Sequence, residues 1–186
     1  MFETHNALPE NYQKIAAIDM KNNRKEFRRI NIMSILLLIP FIIGLMITEQ
    51  NFTMDGVHIV TAIAGFALSI IIHELVHGIF FKMGRRADVR FQFHGFAASA
   101  SAPGTYFKKG HYLMVGLAPA VLVNTLLVIL MALLTGGFVF AVYFILAFHF
   151  AGCAGDFYVT WRLMKMPADT LIEDYGVGMR FYSKET

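Results

Sequence analysis

The chain has 186 residues, 56% of them hydrophobic, and a mean hydropathy of +0.55. That is too apolar for an ordinary soluble domain and points to a polytopic membrane protein. The single cysteine, Cys153, excludes an intrachain disulfide and a cysteine-rich zinc site, and the net charge of +3 says little until the charges are mapped.

The first 29 residues are polar and charged. They lack the short apolar core and small-residue cleavage site of an export signal, so none is expected, and 21–29 read as a solvated or headgroup-bound helix. Four apolar runs then approach the roughly 20 residues that a helix needs to cross a bilayer. They cover about 30–47, 57–81, 112–134 and 138–164. The expected architecture is an all-α membrane protein with an N-terminal arm (1–29), a bundle of four transmembrane helices (30–164) and a tail (165–186). Between spans two and three, Val89, Phe91 and Phe93 alternate with Arg90, Gln92 and His94, which is strand period. Gly95 breaks that run, and 97–102 returns before Pro103, which predicts a hairpin dipping to the membrane edge. An exposed strand edge there suits an extended peptide that binds by strand addition. The segment 176–182 is a further candidate strand near it.

All 16 Lys and Arg fall in three places. Six precede span one (Lys14, Lys21, Arg24, Lys25, Arg28, Arg29), and six lie between spans two and three (Lys82, Arg85, Arg86, Arg90, Lys108, Lys109). The other four lie at or after the end of span four (Arg162, Lys165, Arg180, Lys184). The loop after span one carries Glu49 and Asp55, and the loop after span three is little more than Thr135-Gly136-Gly137. This is the positive-inside pattern, so both termini and the central loop are expected in the cytoplasm. The juxtamembrane placement favours anionic headgroups over nucleic acid as the partner of these charges.

Span two contains His73-Glu74-Leu75-Val76-His77, an H-E-x-x-H pattern. Histidines at i and i+4 share a helix face and can grip one metal ion, with the intervening glutamate as a base. An ionisable group at membrane depth costs about 2.5–3.5 kcal/mol, so such groups are rare without a role. His73 and His77 precede Lys82 by nine and five residues, and Asp156 precedes Arg162 by six. At the helical rise these separations put all three within roughly 7–14 Å of the basic boundary. Spans two and four run in the same direction, so His73, His77 and Asp156 share a depth. Two nitrogens and one oxygen, with a fourth position for water, suit catalytic zinc. The small-residue run 151–155 beside Asp156 permits close helix approach. In span three, Pro119 frees a carbonyl, and Asn124 is a candidate donor to a developing oxyanion or an ordinary interhelical hydrogen bond. His149, seven residues before Asp156 on the same face, is a deeper alternative ligand, and Cys153 reads as a packing residue.

These residues resemble the site-2 protease group of intramembrane metalloproteases. That group pairs H-E-x-x-H on one span with an aspartate on a later span, often with a Gly-Pro-x-x-Asn-type element between them. The matching pieces are His73-Glu74-x-x-His77, the stretch from Ala118-Pro119 to Asn124, and Asp156 in Ala154-Gly155-Asp156. The spacing is stretched to Pro119-x-x-x-x-Asn124, and Gly155-Asp156-Phe157 stands where Leu-Asp-Gly is usual. The chain is still more similar to a family of small bacterial four-span membrane proteins of the zincin-peptidase kind. Their His-Glu-Leu-x-His-Gly run resembles His73 to Gly78, and their basic, tyrosine-containing entry to span three resembles Lys108-Lys109-Gly110-His111-Tyr112. The resemblance implies a multi-pass protein of a bacterial cell membrane that uses Zn2+ on His73, His77 and Asp156. It further implies hydrolysis of a transmembrane or membrane-proximal peptide near the cytoplasmic side, with Glu74 as base and Asn124 as oxyanion partner. Two other functions fit the same residues. One is a catalytically inactive metal-binding protein that holds a partner's transmembrane helix. The other is a small transporter or proton relay, against which the lack of repeated broken helices counts.

Overall fold

The computed structural model describes residues 4–47, 55–83, 87–93, 98–176 and 178–185. Glu49, Arg85, Arg86, His94 and Gly95, which figured in the reading of the loops, lie outside the described residues.

Among the described residues, four helical stretches are long and apolar enough to cross a membrane: Arg24–Ile47, Gly56–Lys82, Lys109–Leu133 and Gly137–Met164. The first three are single helices, α1, α2 and α3. The fourth is two, α4 (Gly137–Gly152) and α5 (Ala154–Met164), separated at Cys153. There the Cys153 thiol donates to the His149 carbonyl (3.2 Å) while its own N–H is shared between the His149 and Phe150 carbonyls. That sharing tightens the turn and offsets α5 from α4. Asp55 caps α2 by accepting from the N–H groups of Val57 and His58. α1 begins at Arg24, six residues before the expected boundary at 30. Its polar first turns are held by the Asn23 side chain, which accepts from Lys25 N–H, and by buried Glu26, which bonds Tyr158 and Arg162 of α5. Many large apolar side chains of α1, among them Ile35, Leu36, Ile43 and Met46, are exposed, as lipid-facing positions must be.

The protein is not all-α, and that expectation is corrected. A five-stranded antiparallel sheet, in the order β1-β5-β6-β7-β2, joins β1 (Thr4–His5), β2 (Tyr12–Asp19), β5 (Tyr106–Lys108), β6 (Leu171–Asp174) and β7 (Gly178–Lys184). Three of the strands have four residues or fewer, too short to show a period. The longer β2 has a register shift between Lys14 and Ala16 that leaves Ile15 unpaired, and its run Ile15-Ala16-Ala17-Ile18 is apolar throughout, so no alternation marks it. The segment predicted at 176–182 is found as β7, paired with β2 and β6. The hairpin is present as a second sheet, β3 (Arg90–Phe93) against β4 (Ala98–Ser101), with Phe91 opposite Ala100.

Because the five-stranded sheet draws on the segments before α1, after α2 and after α5, all three lie at one end of the bundle. The Lys and Arg lie in these segments or in the helix ends that adjoin them. Its inner face packs Ile18, Phe107, Ile172 and Phe181 against Phe81, Tyr112, Val159 and Leu163 from the helices. A second apolar cluster, Val123, Leu127, Val142, Ile145 and Leu146, fills the bundle farther from the sheet. Four spanning-length helices and this lipid-facing exterior define a multi-pass membrane protein.

Candidate metal centre

α2 is regular through the pattern, so His73 and His77 are one turn apart and their rings meet edge to face, 4.8 Å between centroids. Asp156 lies in the first turn of α5, just past the Cys153 break. Its Oδ2 is 3.2 Å from His73 Nε2, and its Oδ1 is 3.4 Å from His77 Nε2. The two Nε2 atoms are 3.1 Å apart. A tetrahedral ion with bonds of about 2.0–2.1 Å has ligand–ligand edges of about 3.3 Å. The three residues therefore fit one zinc ion as they stand.

The far side of each imidazole is also committed. His77 Nδ1 is 2.9 Å from the Val115 carbonyl, which can only accept, so the proton sits on Nδ1. That carbonyl is available because its helical partner four residues on would be Pro119, which has no N–H. His73 Nδ1 is 3.2 Å from His149 Nε2, and His149 Nδ1 is 2.8 Å from Asn124 Oδ1. Asn124 Nδ2 in turn donates to the Ala120 carbonyl at 2.6 Å. Asn124, expected near the oxyanion, is thus buried in the bundle and engaged through both amide atoms. His149 stands behind His73. His73, His149 and Cys153 also come close enough together to be a second candidate ligand set.

Glu74 points toward the hairpin, where its Oε2 accepts the Ala100 N–H at 2.5 Å. β4 is thereby docked beside the two histidines. A cavity of about 620 Å³ opens in front of the centre, lined by Glu74, Ala100, Tyr112, Gly155 and Asp174, among others. Opposite the metal donors, the Tyr112 hydroxyl donates to Asp174 Oδ2 at 2.5 Å, and Asp174 Oδ1 accepts the Gly176 N–H at 2.8 Å. Burial pushes the Asp174 carboxyl up to about 6, against the pull of those two hydrogen bonds. The Tyr112–Asp174 pair, the Ala100 amide and the His149–Asn124 link were not read from the sequence as parts of the site. Only the last left a signal, the helical spacing of His149 from Asp156.

The pattern, depth and donor geometry describe a metallopeptidase-like centre in a membrane bundle. The chain belongs to a family described as putative zincin peptidases, whose family model matches residues 66–171, more than half of its length. The matched stretch contains His73, Glu74, His77, Asn124, His149 and Asp156. No curated protein and no solved structure matches the chain.

Proposed function

We propose that the protein is a zinc-dependent peptidase of the site-2 protease-like kind, which cleaves a transmembrane or membrane-proximal peptide close to the cytoplasmic face of a bacterial membrane. One observation carries the metal part of this reading. His73 Nε2 and His77 Nε2 converge to 3.1 Å, and the Asp156 carboxylate faces both, with Oδ2 3.2 Å from the first and Oδ1 3.4 Å from the second. A proton can be shared between two of them at a time; a divalent cation satisfies all at once. The basic segments gathered at the sheet end support a cytoplasmic orientation for that end.

In this reading His73, His77 and Asp156 hold the ion. When bound, zinc supplies Lewis acidity that makes a water nucleophilic near neutral pH and polarises the scissile carbonyl. Glu74 accepts the proton of the attacking water and returns it to the leaving amine. The Ala100 N–H fixes one oxygen of Glu74, so the other takes the proton. The cavity is lined by Ala98, Ser99 and Ala100 of β4 on one side and by Tyr112 and Asp174 on another, room in which an extended chain can lie beside the strand.

The test is zinc content and peptide cleavage by the purified protein and by Glu74→Gln. The variant should keep the metal and lose turnover by roughly 10²–10⁴-fold, the usual contribution of a general base. Full cleavage by Glu74→Gln rejects the base assignment. Zinc bound with no cleavage by the parent favours an inactive holder of a partner helix, and a parent without metal favours a proton relay.

A further inference from the structure

We propose that His149 and Asn124 are positioning residues: together they keep the proton of His73 on Nδ1 and so present its Nε2 lone pair to the metal position. The inference rests on the metal-binding reading above and extends it beyond the atoms that touch the ion.

The direction of every hydrogen bond in the chain follows from its last member. The Ala120 carbonyl cannot donate, so the Asn124 atom 2.6 Å away must be the amide nitrogen. Asn124 Oδ1 then faces His149 Nδ1 at 2.8 Å as an acceptor, and the proton lies on His149 Nδ1. Neutral His149 is left with its lone pair on Nε2, directed at His73 Nδ1 across 3.2 Å. His73 must donate there, and its Nε2 is the atom without a proton. The outcome matches what the Val115 carbonyl imposes on His77 by a separate route. Outer partners of this kind fix the tautomer and ring plane of metal-binding histidines.

The burial of the pair argues for such a role. His149 is 3% exposed and Asn124 9%, deep in an apolar bundle where unpaired polar groups are costly. Their polar ring atoms and amide atoms point at each other, at His73 and at a backbone carbonyl. A second ion on His73, His149 and Cys153 fits less well. Both ring nitrogens of His149 already have protein partners, and the Cys153 sulfur sits 3.2 Å from the His149 carbonyl as a thiol donor, against 3.9 Å from the His73 ring.

The full chain in detergent allows both halves of the proposal to be measured. Ring ¹⁵N spectra of the parent should show the His73 proton on Nδ1, and chelator competition should give one zinc per chain. His149→Leu and Asn124→Leu should lower zinc affinity by about 10–100-fold and let His73 populate both tautomers. His149→Gln presents an acceptor and a donor in place of the two ring nitrogens, so it should stay within about threefold of the parent. A parent His73 with its proton on Nε2 overturns the proposal without any variant. So does equal zinc affinity of parent and Leu variants, a His149→Gln protein as weak as His149→Leu, or a second zinc that is lost in Cys153→Ala. A parent that takes up no zinc overturns the metal reading itself and, with it, the purpose of the relay.

Discussion

Inside the bundle, His73 and His77 need only the period of α2 to face the same way, and Asp156 needs only a parallel span at matching depth. The sheet works over much longer separations: it pairs Thr4 with Phe107 and Tyr12 with Lys184, nearly the full length of the chain. Both regions border the cavity. The bundle supplies the proposed metal donors and the groups behind them, while the two sheets supply the Ala100 amide and the Asp174 carboxylate. The contrast separates what binds the metal from what shapes the space in front of it. If it is sound, variants in the two regions should fail in different ways.

The largest expected effect is in the bundle. Asp156→Ala removes one of the three proposed ligands, so zinc affinity should fall on the order of a thousandfold, beyond the 10–100-fold typical of outer partners. Thermal stability without metal should change little by comparison. Chelator competition reads the first quantity and thermal unfolding the second. Near-parental zinc affinity would move the third ligand elsewhere, with His149 the nearest candidate.

Ile18→Ala, in the sheet, should do the reverse. Ile18 is fully buried against the helix ends, and an Ile→Ala truncation in such a core costs about 2–5 kcal/mol. For a chain of this size that is a fall in Tm of roughly 4–20 °C. Zinc affinity per folded molecule should stay near that of the parent. A matching loss of zinc affinity would show that the sheet and the metal donors form one cooperative unit.

The same contrast explains what was legible in the sequence. Hydropathy locates four spans because each crossing must hide its own backbone hydrogen bonds, which makes the signal local and long. The histidine spacing is local for the same reason, and counting residues from the basic boundaries was enough to bring Asp156 to their depth. Apart from β7, the sheet was not legible, because β5 and β6 have three and four residues and gain meaning only when paired. In β2 the four consecutive apolar residues Ile15 to Ile18 show none of the alternation that marks a half-buried strand, although only Ile18 is fully buried. Asn124 shows a third situation. Its burial in a span was evident, but whether its amide faces substrate or a neighbouring histidine depends on the approach of α4 to α3, which no single segment encodes.

The smallest expected effect lies at the seam between the regions, at Asp174. Its strand belongs to the sheet and its hydrogen-bond donor, Tyr112, to α3. In the folded state the carboxyl holds its proton up to about 6, whereas an unfolded aspartate ionises near 3.8. Between those values the folded state binds more protons than the unfolded state, so stability falls as pH rises, with the loss complete above about pH 6. Two pH units of such linkage amount to on the order of 3 kcal/mol in the zinc-free protein. The hydrogen bond from Asn22 to Asp19 and the Lys184 N–H on Asp169 hold those carboxyls below their usual range, which gives slopes of opposite sign at lower pH. The informative quantity is therefore the difference between parent and Asp174→Asn across pH 4 to 6. The variant, whatever its baseline, has no proton to lose there, and its stability should decline less than that of the parent. Parallel curves would mean that Asp174 is ionised throughout, held by Tyr112 and Gly176 alone, and that this wall of the cavity is charged over the whole range in which a substrate enters.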